Sequence, residues 1–300
     1  MIEIRGSLGI SGDDLSFDEV SRVLGVEATM VQRGDSPGGD LWVYSVMGAY
    51  PLPPEPWEDA YEAAPYPDVM MVFDQIQEAV GPGAQRFAQW RGHHEVEVRI
   101  GAVIRCDTSV LPLVSLSSDF MRFAGVLGAS VDYDIQTKDG STPPSTGRVL
   151  DDVWGPIKIT ASVSISGDDG LSFDDITRVL GVEPTRVRRH EEWPVPRFGA
   201  DQWDREVGGG VYGLPGPDGD QPRLPAVMTV FEQVRDLFGP GAHRFAQWRE
   251  THDVEVWLGT FVGCETGDLP SFALPSDFVG FVGVLGAGVD YDIYTNPREA

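Results

Sequence analysis

The chain has 300 residues, 41% of them hydrophobic and 10% aromatic, enough for two cores of about 150 residues each and too apolar for a disordered chain. Its 47 acidic residues outnumber 22 basic ones, and the formal net charge of -25 repels phosphate backbones and argues against nucleic-acid binding. No run approaches the roughly 18 apolar residues of a membrane span, and the first residues lack the basic and apolar regions of a secretory leader, so a cytoplasmic protein with no membrane partner is expected.

Ile2 to Ile10 alternates as a strand and ends at Ser11-Gly12-Asp13-Asp14. Ser16-Phe17-Asp18-Glu19 has the form of a capping box and predicts a helix, with Phe17, Val20, Val23 and Leu24 as its apolar stripe and Gly25 as its left-handed terminator. A short extended stretch ends near Arg33, and Leu41 to Val46 follows as a strand that carries Trp42. Tyr50 to Tyr66 is a proline-rich loop. Aromatic side chains on a proline-stiffened loop make good contact anchors, so Trp57, Tyr61 and Tyr66 are candidate binding residues.

Val69, Val72, Phe73, Ile76 and Val80 recur at helical spacing. Gly81-Pro82-Gly83 is then expected to turn the chain as a type II turn, leaving Ala84 to Arg91 as a second, short helix. Glu95 to Ile104 alternates as a half-buried strand. Ser118-Asp119-Phe120 opens a helix that ends at Gly128, and Val131 to Ile135 is the closing strand. Gly125, inside that helix, implies a close approach to the sheet, as does Gly283 later in the chain.

The order then returns. Gly81-Pro82-Gly83-Ala84-Gln85-Arg86-Phe87-Ala88-Gln89-Trp90-Arg91 is answered by Gly239-Pro240-Gly241-Ala242-His243-Arg244-Phe245-Ala246-Gln247-Trp248-Arg249, a match that predicts an internal duplication. The first repeat is expected over 1–137, a polar Pro/Gly/Ser-rich linker over 138–155, and the second repeat over 156–296. The fold class expected is α+β: two homologous domains, each a mostly antiparallel sheet with helices on one face, a ferredoxin-like core with an inserted helical pair.

Candidate chemistry is sparse. His94, Glu97 and Cys106 share no zinc-ligand spacing, so neither a metal nor a cofactor is expected. Asp13, Asp14, Asp168 and Asp169 are adjacent carboxylates at strand ends, which can split their pKa values or hold a hard cation, and which equally suit a structural turn before a capped helix. Arg86 and Arg244 could clasp a carboxylate or phosphate, or tie a helix to the protein's own acceptors. No nucleophile elbow and no phosphate-binding glycine loop occurs, and no catalytic residue is assigned.

The succession of Ser-Gly-Asp-Asp, a capped helix, Leu24-Gly25-Val26-Glu27-Ala28-Thr29 (Leu180 to Thr185 in the second half), a tryptophan strand and a closing Asp-Tyr-Asp-Ile strand resembles a bacterial domain-of-unknown-function family, number 4279, in each half. The resemblance implies no activity and no site residues; Ala28 departs from the family's proline. The function expected is a non-enzymatic protein-binding module, such as a toxin-neutralising, immunity-like protein with a basic protein partner. The alternative is a small-ligand-binding protein or enzyme using a cleft between the repeats.

Overall fold

The computed structural model describes residues 2–34, 39–50, 70–106, 114–137, 157–168, 170–192, 200–208, 211–212, 228–264 and 272–295. Trp57, Tyr61, Tyr66 and Asp169 lie outside them. The first half forms β1 (Ile2–Gly12), α1 (Phe17–Leu24), β2 (Met30–Gln32), β3 (Asp40–Tyr50), α2 (Met70–Arg91), β4 (Val96–Cys106), β5 (Val114–Leu116), α3 (Ser118–Leu127) and β6 (Ser130–Thr137). The second forms β7 (Ile157–Gly167), α4 (Phe173–Leu180), β8 (Arg186–Arg188), β9 (Asp201–Val207), β10 (Val211–Tyr212), α5 (Met228–Arg249), β11 (Val254–Cys264), β12 (Phe272–Leu274), α6 (Ser276–Leu285) and β13 (Gly288–Thr295). No helix among the described residues is long and apolar enough to cross a membrane.

The strands build two mixed sheets, in the orders β12-β6-β4-β1-β3-β2 and β5-β13-β11-β7-β9-β8, with β10 also pairing with β7. The fold is α+β. The chain divides into two compact units: Met1–Ser115, Phe123–Leu150 and Phe272–Val279 form one, and Leu116–Arg122, Asp151–Ser271 and Gly280–Ala300 the other. Within the α+β class the connectivity is not ferredoxin-like. In a ferredoxin-like core each βαβ unit is split by an intervening strand, whereas β4 and β6 are direct parallel neighbours, as are β11 and β13.

Strand alternation sorts the side chains. Ile4, Leu8 and Ile10 on β1 are buried with Val98, Ile100 and Ile104 on β4, and Ile159, Val163 and Ile165 on β7 with Val256, Leu258 and Val262 on β11. Gly6 lies on this inner face, where an added Cβ would meet Val72 of α2 at 3.0 Å, so the long helix packs directly on β1. Ser7, Gly9 and Ser11, like Ser162, Ser164 and Ser166, alternate to the outer face and are partly exposed.

The expected turn at Gly81-Pro82-Gly83 is instead the middle of one 22-residue helix, α2, and α5 carries Pro240 in the same way. Phe73, Ile76, Val80, Ala84, Phe87 and Trp90 are all buried, so the apolar stripe runs unbroken through the Gly-Pro-Gly. Pro82 forfeits one backbone hydrogen bond, to the carbonyl four residues earlier. Gly83 supplies close contact rather than turn geometry: a Cβ there would lie 2.2 Å from the Leu24 carbonyl oxygen, and one at Gly241 2.2 Å from that of Leu180. The glycines let the C-terminal ends of α1 and α4 press against the long helices.

Gly25 and Gly181 close α1 and α4 in the left-handed region at φ 83° and 75°, as expected. The capping box is only half realised. Ser172 accepts the Asp175 amide at 3.3 Å, while Ser16 makes no side-chain cap bond. An added Cβ at Gly283 would face the backbone of Met121 and Arg122 in α3 rather than a sheet, so the close approach is helix to helix.

Candidate functional site

Each unit holds the same clasp beside its first helix. In the first, Asp40 accepts the backbone N–H of Gly34 at 3.1 Å and of Leu15 at 3.0 Å, together with the Arg33 guanidinium. Arg33 also donates to the Leu15 carbonyl at 2.8 Å and lies 4.1 Å over the Phe17 ring. In the second, Asp201 accepts the N–H groups of Gly170, Leu171 and His190 at 3.0–3.1 Å and the Arg189 guanidinium. Arg189 donates to the Leu171 carbonyl at 2.9 Å and covers Phe173 at 4.0 Å.

These bonds hold both carboxyls below the usual range. At Asp40 the Gly34 N–H is the largest influence and acts with Arg33 against the opposing effect of burial. At Asp201 burial raises the pKa, and the Arg189 bond and charge with the His190 and Gly170 N–H groups outweigh it. A saturated carboxylate on a salt-bridged arginine anchors a turn.

The outer faces differ. On the second sheet, register sets Ser164 opposite Asp204 and Asp204 opposite Arg186. Asp204 is only 5% exposed, although it points away from the core. Its Oδ1 accepts Ser164 Oγ at 2.7 Å and Gln202 Nε2 at 2.9 Å; its Oδ2 accepts Arg186 Nε at 3.2 Å and Nη2 at 3.1 Å. The group floors a concave site of about 480 Å³ that Ser162, Glu206, Phe261 and Asp290 also line. The corresponding set on the first sheet is Gly9 opposite Val43 and Val43 opposite Met30. The buried polar network belongs to the second unit.

In the first unit, Asp13 and Asp14 edge a groove of about 690 Å³ with Glu19, Glu95, Glu97, Trp90 and His94. Asp14 has φ 54°, a left-handed turn conformation that aspartate tolerates. Asp168 is exposed in its own turn. Among the described residues no cluster of three or more His, Cys, Asp or Glu side chains has the arrangement to hold a metal ion.

The arginines of the repeated phrase are ties. Arg86 Nε donates to the Val23 carbonyl at 3.2 Å and Arg244 Nε to the Val179 carbonyl at 3.1 Å, each a cation at the C-terminal end of a helix. Arg91 and Arg249 reach the carbonyls of Gly128 and Gly286 at 3.2 and 2.6 Å. His94 stacks on Trp90 at 4.0 Å, and its Nδ1 bonds the Trp90 carbonyl at 2.8 Å, so that nitrogen carries the proton. His252 does the same with Trp248.

Asp204, Arg186, Ser164 and Gln202 were missed from sequence. Their signal was available as difference: at matched strand positions the first half has Val43, Met30, Gly9 and Leu41.

The first half matches the family described as Domain of unknown function (DUF4279) over residues 2–138. Residues 2–138 are a DUF4279 domain. No curated protein and no solved structure matches the chain. The DUF4279 domain thus comprises β1 to β6 with the Arg33–Asp40 clasp, and the polar cavity lies in the region that follows it.

Proposed function

We propose that the protein is a non-enzymatic binding module of the toxin-neutralising kind for a basic protein partner, built from two copies of one ancestral domain. The observation that carries this reading is the fixed polar network on the outer face of the second sheet, where matched positions of the first sheet are apolar. Asp204 has both oxygens occupied by oriented donors, which suits a rigid recognition surface better than a general base, since a base needs a free lone pair within reach of substrate. The acidic groove around Asp13 and Asp14 and the net charge of -25 add long-range attraction for a basic surface.

Copying is supported by the matched strand order, clasp and Gly-Pro-Gly helix of the two units. Capture of partners from the native host on immobilised protein tests the reading. Basic proteins retained at low salt and released as salt screens the charges are the expected result. Retention of no basic protein at low salt would remove it.

A further inference from the structure

The cavity on the outer face of the second sheet has a one-sided hydrogen-bonding character. Several of its donors are committed inward: Ser164 Oγ, Gln202 Nε2 and Arg186 Nε and Nη2 donate to Asp204. What remains on the walls is weighted toward acceptors, including the Glu206 carboxylate and the hydroxyl lone pairs of Ser162 and Ser164. Gln202 Oε1 is itself buried without a hydrogen-bond partner, an acceptor that an incoming donor would satisfy.

Charge points the same way. Among the described residues, Asp204, Glu206 and Asp290 line the cavity against one guanidinium, that of Arg186, which disfavours an anion. Phe261, 37% exposed on β11, sits on the same wall and adds apolar surface to it. The volume of about 480 Å³ lies within the roughly 300–1,000 Å³ typical of small-ligand sites.

We propose that this cavity binds a donor-rich organic cation, a guanidinium or alkylammonium group. The group is carried either by a free small molecule or by an arginine or lysine side chain of a basic partner; only the second source rests on the protein-binding reading above. A neutral polyol gains nothing from the carboxylate charge of Glu206 and Asp290 on the walls, which favours a cation. The matched region of the first sheet has Val43, Leu41 and Ser45 in place of Asp204, Gln202 and Glu206, and serves as an internal control.

Calorimetric titration of the full chain with agmatine tests the proposal, with glucose and inorganic phosphate as neutral and anionic controls and an arginine-rich peptide as the side-chain source. Saturable agmatine binding at one site is expected, with none for glucose or phosphate. Glu206→Gln should weaken it about threefold to fivefold through loss of one exposed charge. Ser162→Leu, which fills the cavity from an outer-face position, should abolish it while circular dichroism remains that of the wild type.

Competition between peptide and agmatine identifies a partner side chain as an admissible source, and agmatine binding without peptide binding identifies a free ligand. Absence of saturable binding by both probes, or binding unchanged by both variants, overturns the proposal. Capture of a basic protein that ignores agmatine and both variants would also overturn this site, and would leave the protein-binding reading intact. Agmatine binding without any basic protein partner would do the reverse.

Discussion

In the first unit the outer-face positions beside the buried Trp42 are Gly9, Val43 and Met30; beside Trp203 in the second they are Ser164, Asp204 and Arg186. The inner faces match closely by comparison. Trp42 donates its indole N–H to Ser21 at 3.0 Å and Trp203 to Thr177 at 3.2 Å, and both rings are fully buried. Residues common to both units hold the fold, and the difference marks the surface for which recognition is proposed. The clasp arginines, Arg33 and Arg189, are the clearest lesson: a charged pair repeated in both units turned out to fasten a turn.

The shared frame can be broken at its tightest point. Gly83→Ala and Gly241→Ala each force a Cβ against a backbone carbonyl, and each should destabilise its unit by about 2–3 kcal/mol, the range of overpacking, less the small helix-propensity gain of alanine. Chemical denaturation followed by tryptophan fluorescence measures both. A loss in one unit only would show that the two helix contacts are not alike.

The clasp comes next. Asp201→Ala strips the acceptor from three backbone N–H groups and Arg189 and should lower stability by about 2 kcal/mol, the scale of donors left unsatisfied. Because the folded-state pKa of Asp201 is depressed, its contribution is present above the unfolded value of about 3.9 and disappears as pH falls through the folded value. Acid titration of stability should therefore be shallower below about pH 4 in Asp201→Asn than in the wild type. Asp40→Asn should flatten the curve in the same direction, since its pKa is also lowered.

Exchanging the outer faces tests the difference itself. Asp204→Val alone leaves Arg186, Ser164 and Gln202 without their acceptor and should be destabilising by about 1–2 kcal/mol. Adding Arg186→Met, which completes the Val43–Met30 arrangement of the first unit, should restore stability to within about 1 kcal/mol, since an apolar pair replaces, at little cost, an ion pair whose arginine is largely exposed. Partner capture should stay lost.

The smallest effect is expected at Asp132 on β6. Burial raises its pKa, against the Arg99 charge 3.5 Å away and with the help of Asp134. A raised carboxyl pKa makes the charged form a liability at neutral pH that eases as pH falls. Asp132→Asn should therefore be neutral or stabilising by less than about 1 kcal/mol at pH 7, measured by thermal unfolding.

Much of the frame was legible because it is written in local chemistry. Gly25 and Gly181 announced helix ends, and alternation around Trp42 and Val98 announced strands with one dry face. The Gly-Pro-Gly misled because turn preference is local, while the reason for the glycine lies at Leu24, far away in sequence. The unbroken spacing of Val80, Ala84 and Phe87 was the better guide. The ferredoxin-like expectation failed because adjacency of β4 and β6 is a pairing choice that no single segment encodes. Asp204 and Arg186 could not be joined without the β8–β9 register, which brings residues 18 positions apart to face each other.

The most direct measurement is an amide NMR titration of the full chain with agmatine. The account predicts shifts concentrated at Ser162, Ser164, Gln202, Asp204, Glu206 and Phe261, with Gly9, Met30, Leu41 and Val43 unmoved. Equal shifts on both outer faces, or shifts confined to the first, would contradict the claim that the second unit alone carries the recognition site.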